Sequence, residues 1–478
     1  MRKLKMMVAA LVCLGAMGAS ASRNITEEVR LAGKASFSLV QGELVSGSSL
    51  ANAFDGQTGW AKPCAQFVTL PTEAEPVVFD YIIADDFDDG QAFVASRIVL
   101  YGLNNYYDAA RNPTFMDIYG SSDGGENWTL LYDDDWGCTF HDSGLYMNYW
   151  IPAEKRGAYR RFRFVVRGNF GSTSVTSPLA IMDIRVHQDV VWYVDPDGDD
   201  TTHSGTNGWD DAITITNAIV QGATFDEIHL KQGTHPVLKA MSHAKLFAIL
   251  GGYLGDTANP YGLAAEPMSV LDAQGTVGNI FQLTYNPGNY TAGHFQFYQN
   301  VEFARATSSA VNSGSGYYWS HDFRNCRFTD CRSSSGGRGI YHKGDYQRTR
   351  SLVMLHDCVF SGNGLTDGAG VAWDGAGVYL YFGRLRAFNC RFEENGLSPT
   401  AAPAGNGGKT VNGAAITARY AGLNVKDTVF VHNRSSAGAA VYGYETSGGY
   451  TLDRCAFIGN ESVAAASTAS GSSAGLAL

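Results

Sequence analysis

Asn325-Cys326-Arg327-Phe328, Asp357-Cys358-Val359-Phe360, Asn389-Cys390-Arg391-Phe392, Asp427-Thr428-Val429-Phe430 and Arg454-Cys455-Ala456-Phe457 are five versions of one tetrad. Three positions after the phenylalanine, four of the five carry asparagine: Asn363, Asn395, Asn433 and Asn460. The phenylalanines are spaced by 32, 32, 38 and 27 residues, so insertions vary while the motif is kept. In a strand, the cysteine and phenylalanine of Cys-x-Phe point to one side and the middle residue to the other. The middle residues Arg327, Val359, Arg391, Val429 and Ala456 are mixed, as an outer face should be. Stacked coil on coil at about 4.8 Å, the motif makes inward ladders of Phe and of small apolar Cys or Thr. The asparagine is expected to take a left-handed turn and bond to its counterparts. This is the pattern of a right-handed parallel β-helix.

The same registry accounts for the cysteines. Cys326, Cys358, Cys390 and Cys455 occupy one rung, with Thr428 in the fourth coil, and a buried thiol behaves as a small apolar side chain. A metal cluster would need ligands converging on one point, which a ladder does not provide. Cys331 stands at the asparagine position and has no separate explanation at this level.

A second motif follows each loop: Gly337-Arg338-Gly339-Ile340, Gly368-Ala369-Gly370-Val371, Gly375-Ala376-Gly377-Val378, Gly413-Ala414-Ala415-Ile416 and Gly438-Ala439-Ala440-Val441. With Ile340, Val378, Ile416 and Val441 inward, the outward residues are Tyr341, Lys343, Tyr379, Tyr381, Thr417, Arg419, Tyr442 and Tyr444. Such a stripe of tyrosines with two cations suits stacking on sugar rings and bonding their hydroxyls. A plain aromatic ladder holding the sheet would use the same residues. Taken together, the two motifs resemble the "FxxN" and "GGA[ILV]" repeats of the polymorphic outer-membrane protein family of adhesins, with one glycine where that family usually has two. The entry Tyr193–Gly198, Trp209-Asp210-Asp211-Ala212 and Ile228–Gly233 looks like the start of many secreted β-helix proteins. Residues Asp210–Gln221 are expected to form a capping helix with Ala212, Ile215, Ala218 and Ile219 inward. The β-helix is thus assigned to 193–461, and 462–478 to a low-complexity Ala/Ser/Gly tail without a cap.

Residues 23–188 alternate short β-rich runs with turn signals, which reads as a sandwich. The runs are Ser96–Tyr101, Phe115–Gly120, Trp128–Tyr132, Tyr159–Arg167 and Leu179–His187. Ala51-Asn52-Ala53-Phe54-Asp55-Gly56-Gln57-Thr58 with Trp60, then Phe115–Trp128, Tyr159–Val166 and Ala180–Val186, resembles the discoidin (coagulation-factor-type C) family in order. Val77–Gln91 departs from its pattern. The resemblance implies a jelly-roll sandwich that binds glycans and holds a structural calcium through Asp55, Thr58 and Asp183. Loop oxygens of that kind suit Ca²⁺. Alternatively, Asp55-Gly56 only makes a turn and Asp183 is an ordinary strand residue. The glycan site of that family lies in variable loops, where Trp60, Tyr106, Tyr107, Trp136 and Tyr146 are the available aromatics.

The start of the chain sets the expected compartment. Arg2, Lys3 and Lys5 precede the apolar run Met6–Met17, and Ala19-Ser20-Ala21 offers a cleavage site after residue 21. No segment is apolar for long enough to cross a bilayer, and Leu11-Val12 before Cys13 is a poor lipoprotein signal. In the exported chain, Cys64 and Cys138 are candidates for one disulfide. A net charge of −11 argues against nucleic acid or an anionic membrane as partner.

These readings converge on an all-β protein, a discoidin-like sandwich followed by a β-helix, exported to the cell surface or medium. The leading function is noncatalytic glycan binding with the β-helix as adhesive stalk. Its rival is a carbohydrate-active enzyme, a polysaccharide lyase or glycosidase, drawing on His342, Lys343, Asp345, Asp374, Glu393 and Arg419. A structural spacer in a larger assembly is the third reading. The run Asp195–Asp200 lacks EF-hand spacing and reads as an acidic turn.

Overall fold

The computed structural model describes residues 22–58, 62–90, 93–103, 109–133, 146–169, 171–172, 174, 176–284, 294–314, 319–333, 338–344, 351–365, 375–397, 413–435, 438–444, 449–462 and 476–477. Among these the chain is all-β apart from two short α-helices, Ile25–Leu31 and Ile215–Gln221, and a few 3₁₀ turns. The signal segment 1–21, Trp60, Tyr106, Tyr107, Trp136, Cys138, Asp345, Gly368–Val371 and Asp374 lie outside the described residues.

The first half is an antiparallel sandwich. Five strands order as Ala35–Gln41, Val77–Ile83, Arg161–Asn169, Pro113–Ser121 and Thr129–Tyr132. Four more order as Arg23–Asn24, Asp183–Gln188, Arg97–Tyr101 and Tyr146–Trp150. The Val77 stretch, which departs from the family pattern, is an ordinary inner strand paired on both sides. Alternate residues of facing strands fill the core, where Phe54 stacks on Tyr81 at 4.7 Å and Phe79 on Phe164 at 5.2 Å.

The second half is a β-helix of three parallel sheets. The first has nine strands, from Val191–Val194 to Tyr450–Asp453. The second runs in eight strands from Gly233–Pro236 to Ala456–Ile458, and the third in eight from Met241–His243 to Leu476–Ala477. Every Phe of the tetrads lies in the second sheet in strict register, and the rings stack at 4.5, 4.7, 5.2 and 5.0 Å. The ladder begins one coil earlier, at Phe303, which stacks on Phe328 at 4.9 Å.

The asparagine ladder forms, by a different backbone route from the one expected. The left-handed residues precede it: Gly362, Glu394, His432 and Gly459 have φ between 49° and 68°. A second left-handed position is the first residue of each tetrad, φ 47° to 55°, which explains why four of five are Asn or Asp. The asparagine amide of Asn395 donates to the Phe360 carbonyl behind and to the Asn433 side chain ahead, both at 2.9 Å. Asn363 and Asn433 repeat that pair of bonds, so the buried amides are fully used. Cys331 starts this ladder: its N–H donates to Asn363 Oδ1 at 3.1 Å and its thiol faces the Phe303 carbonyl.

Two expectations about the ends are corrected. The capping helix is a 3₁₀ turn, Trp209–Asp211, then a helix only over Ile215–Gln221; Ala212 is buried in the extended residue between them. The tail is not wholly outside the fold, because Leu476–Ala477 pairs in parallel with Val441 and Tyr442.

The halves share a buried junction. Trp150, Ala153, Tyr193, Trp209, Ala248, Leu250, Tyr253 and Phe297 form one apolar cluster. Beside it, Arg156 of the sandwich is ion-paired with Glu227 of the first parallel sheet, with side chains 3 % and 0 % exposed. His229 Nε2 hydrogen-bonds the same Glu227 carboxylate at 2.9 Å. Arg97 forks onto Asp189 through two bonds of 2.9 Å. Part of the outward face of the first parallel sheet is therefore apolar, at Ala248, Leu250, Phe297, Leu352 and Met354, because the sandwich rests on it.

Candidate functional site

The third parallel sheet carries the predicted stripe. Ile340, Val378, Ile416 and Val441 are wholly buried and in register. Their strand partners make two outer ladders, Tyr341–Tyr379–Thr417–Tyr442 and Lys343–Tyr381–Arg419–Tyr444. The first is the more covered. Tyr341 stacks on Tyr379 at 5.3 Å and 12°, Arg338 lies over both rings, and Tyr379 is only 8 % exposed while Thr417 is buried. Tyr379 is thus a packed ring, not an open platform.

The second ladder alternates cation and ring. Lys343 Nζ is 5.9 Å from the Tyr381 ring, and Arg419 lies 6.0 Å from Tyr381 and 5.2 Å from Tyr444. Tyr444 is 39 % exposed. Two rings missed from sequence widen this surface: Phe382 packs edge-on to Tyr381 at 4.6 Å and stacks on Tyr420 at 5.2 Å. Both sit at φ near 60° just past the strand end, a backbone state that a bulky residue seldom adopts. No alternation rule points to residues in that position.

In the sandwich the expected metal ligands meet an arginine. Asp183 is wholly buried; its Oδ1 accepts the Gly56 N–H at 3.2 Å and its Oδ2 the Arg185 Nε–H at 2.6 Å. Arg185 also donates to the Gly56 carbonyl at 3.1 Å and lies 4.4 Å over Tyr101. Asp55 accepts the Gln57 N–H, closing a turn, and Thr58 is exposed. The guanidinium thereby takes the carboxylate and loop carbonyl that a calcium ion would use. Among the described residues no group of three or more His, Cys, Asp or Glu is arranged to hold a metal. The residues present do not fit the expected calcium set. Burial pushes the Asp183 carboxyl up to about 6, with Arg185 opposing the rise.

Of the groups available to an enzyme, the described ones, His342, Lys343, Glu393 and Arg419, are divided between the coil interior and two sheets. His342 is wholly buried inside the coil, where it bonds Ser313 at 2.9 Å and desolvation holds it down to about 3. Glu393 lies on the second sheet, paired with Arg391, while Lys343 and Arg419 belong to the third. The acidic run is a turn whose carboxylates are used locally: Asp199 bonds Thr201 and Thr202, and Asp200 bonds Thr214. No helix among the described residues is long and apolar enough to cross a membrane.

No family model matches the chain, and no curated protein matches it. Among solved structures, the N-terminal region matches jelly-roll carbohydrate-binding modules. A module from a family 31 glycoside hydrolase of Clostridium perfringens is 15 % identical, covering 32 % of this chain and 94 % of that one, with a TM-score of 0.24. A family 32 module of C. perfringens NanJ, solved with galactose, is 14 % identical over 35 % and 99 %, TM-score 0.24. A family 32 module of Streptococcus pneumoniae EndoD is 13 % identical over 32 % and 96 %, TM-score 0.25.

Proposed function

We propose that this is an exported, cell-surface or extracellular protein that binds glycans without transforming them, its β-helix serving as an adhesin-like stalk. The observation that carries this reading is the half-exposed ladder Lys343–Tyr381–Arg419–Tyr444, widened by Phe382 and Tyr420. Rings held at coil spacing with cations between them offer stacking faces and hydrogen-bond donors along one line. A sugar chain laid across the coils meets a cation and a ring on alternate steps of the ladder. The scatter of His342, Lys343, Glu393 and Arg419, the described acid–base groups, over two sheets and the interior supports binding over catalysis.

The test is a glycan array run beside assays for reducing ends and for unsaturated products, with the full chain. Binding without product is expected, and the double variant Arg419→Ala/Tyr444→Ala should weaken retention about tenfold, the loss of roughly 1.4 kcal/mol. Product formation by the wild type would replace this reading with the enzymatic one.

A further inference from the structure

A cleft of about 450 Å³ lies where the sandwich meets the first parallel sheet. Its floor is a register ladder that sequence reading did not single out. Gln299, Arg324, His356, Phe388 and Lys426 are strand-end partners on five successive coils, all pointing away from the core. Its wall is the sandwich segment with Glu154 and Lys155, together with Asp133.

The charges along the cleft are not equally committed. Glu154 accepts from Gln299 Nε2 at 2.6 Å, Asp357 accepts from Asn389 Nδ2 at 2.6 Å, and Asp133 lies 4.0 Å from Arg167. Among the described residues Lys155 forms no side-chain hydrogen bond or ion pair, although it is half-buried and lines the cleft together with Arg324, whose charge it feels. Desolvation, and after it the Arg324 charge, holds the Lys155 ammonium below its ordinary value. Arg324 is itself fixed, paired with Asp322 at 3.1 Å and lying 5.0 Å over Tyr132. Glu154 and Asp133 attract the ammonium less strongly than burial and Arg324 oppose it. Two cations sharing one cleft, one of them without an ion pair among the described residues, are stabilised by an anion between them. Two coils further on, Phe388 presents a half-exposed ring with Lys426 at 5.8 Å from its centre.

We propose that this cleft binds an acidic saccharide, its carboxylate or sulfate received by Lys155 and Arg324 and a neighbouring sugar ring resting on Phe388. The ligand class rests on the glycan-binding reading above; the site does not, since it lies on a different sheet from the tyrosine ladder. Domain junctions with convergent polar groups are the usual places for such sites.

The experiment uses the full chain in affinity electrophoresis through polygalacturonate (carboxylate), chondroitin sulfate (sulfate) and dextran (neutral). Retardation by one or both acidic polymers, weakened by salt, is expected, and dextran should leave mobility unchanged. Lys155→Gln and, separately, Phe388→Leu should each weaken acidic retention about tenfold at unchanged melting temperature, and Lys155→Arg should keep most of it. The arms with polygalacturonate and chondroitin sulfate distinguish the two anions. Acidic retention that survives Lys155→Gln and Phe388→Leu overturns the cleft. Retention lost only in Arg419→Ala/Tyr444→Ala assigns binding to the tyrosine ladder and also overturns it. Absence of retention by any acidic polymer overturns the acidic ligand and leaves the array to decide glycan binding as such.

Discussion

At the scale of single residues, Asp183 and Arg185 show how one side chain changes the meaning of a motif. The loop residues matched in order, so the sequence led to a calcium set; the arginine two positions on, reaching back to the same carboxylate, carries no motif of its own. The expected outcome is that neither Ca²⁺ nor EDTA moves the melting temperature. Arg185→Leu should cost about 3 kcal/mol, because it strands a wholly buried carboxylate. Since that carboxyl has a raised value in the fold, its protonation favours the folded state. The penalty in the variant should therefore shrink as pH falls from about 7 through 6, which a pH series of thermal melts reads directly. His342 is the converse case: an ionisable residue beside a lysine reads as chemistry, yet strand alternation turns it into the core.

At the scale of elements, the repeat was the most legible part of the chain. The tetrads gave the Phe rung and the Cys rung, and the Gly-led motif the inward Ile340, Val378, Ile416 and Val441, because a period-two strand repeated at coil spacing leaves few other solutions. What alternation cannot give is the backbone state of the corners, and the left-handed residue proved to lie one position before the asparagine. The coils before Phe328 were illegible for another reason: Phe303 and Leu271 keep the rung without the cysteine or asparagine that marks it. The ladder makes a graded prediction. Asn395→Ala leaves the Phe360 carbonyl and the Asn363 amide without their partners and should cost about 2–6 kcal/mol, at 1–3 per orphaned group. Phe392→Ala should cost about 3–5 kcal/mol. Phe457→Ala should cost clearly less, since that ring is 39 % exposed on the last coil. Denaturant melts of the three variants check the order.

At the scale of the whole molecule, the junction was not legible at all. Leu250, Phe297, Leu352 and Met354 break strand alternation, and without knowing that the sandwich covers them they read as noise. The buried Arg156–Glu227–His229 group is the polar part of this contact. Burial by itself raises the Glu227 carboxyl, but the Arg156 charge and the His229 bond outweigh it and hold it at about 2. A lowered value in the fold means stability that is present above the ordinary glutamate range and lost as pH falls from about 4.5 toward 2. Wild-type protein should show that loss in acid, with both halves melting in one transition. Arg156→Met should cost about 3–5 kcal/mol at neutral pH by leaving Glu227 charged and uncompensated. It should also split the calorimetric trace into two transitions; a single unshifted peak would mean that the junction does not couple the halves.

The cysteine rung bears on how such a chain reaches its fold. Closed, the thiols of Cys358 and Cys390 are out of contact with solvent, and burial drives them well above the ordinary range, so they are poor nucleophiles. Open, the same chain carries four rung sulfurs at intervals of 32, 32 and 65 residues, with Cys331 five residues after the first, each able to pair wrongly in an oxidising compartment. In the exported protein proposed above, coil closure is then a race against oxidation: docking of the coils that carry Cys326, Cys331, Cys358 and Cys390 retires their thiols from the competition, and delay favours cross-linked, misfolded chains.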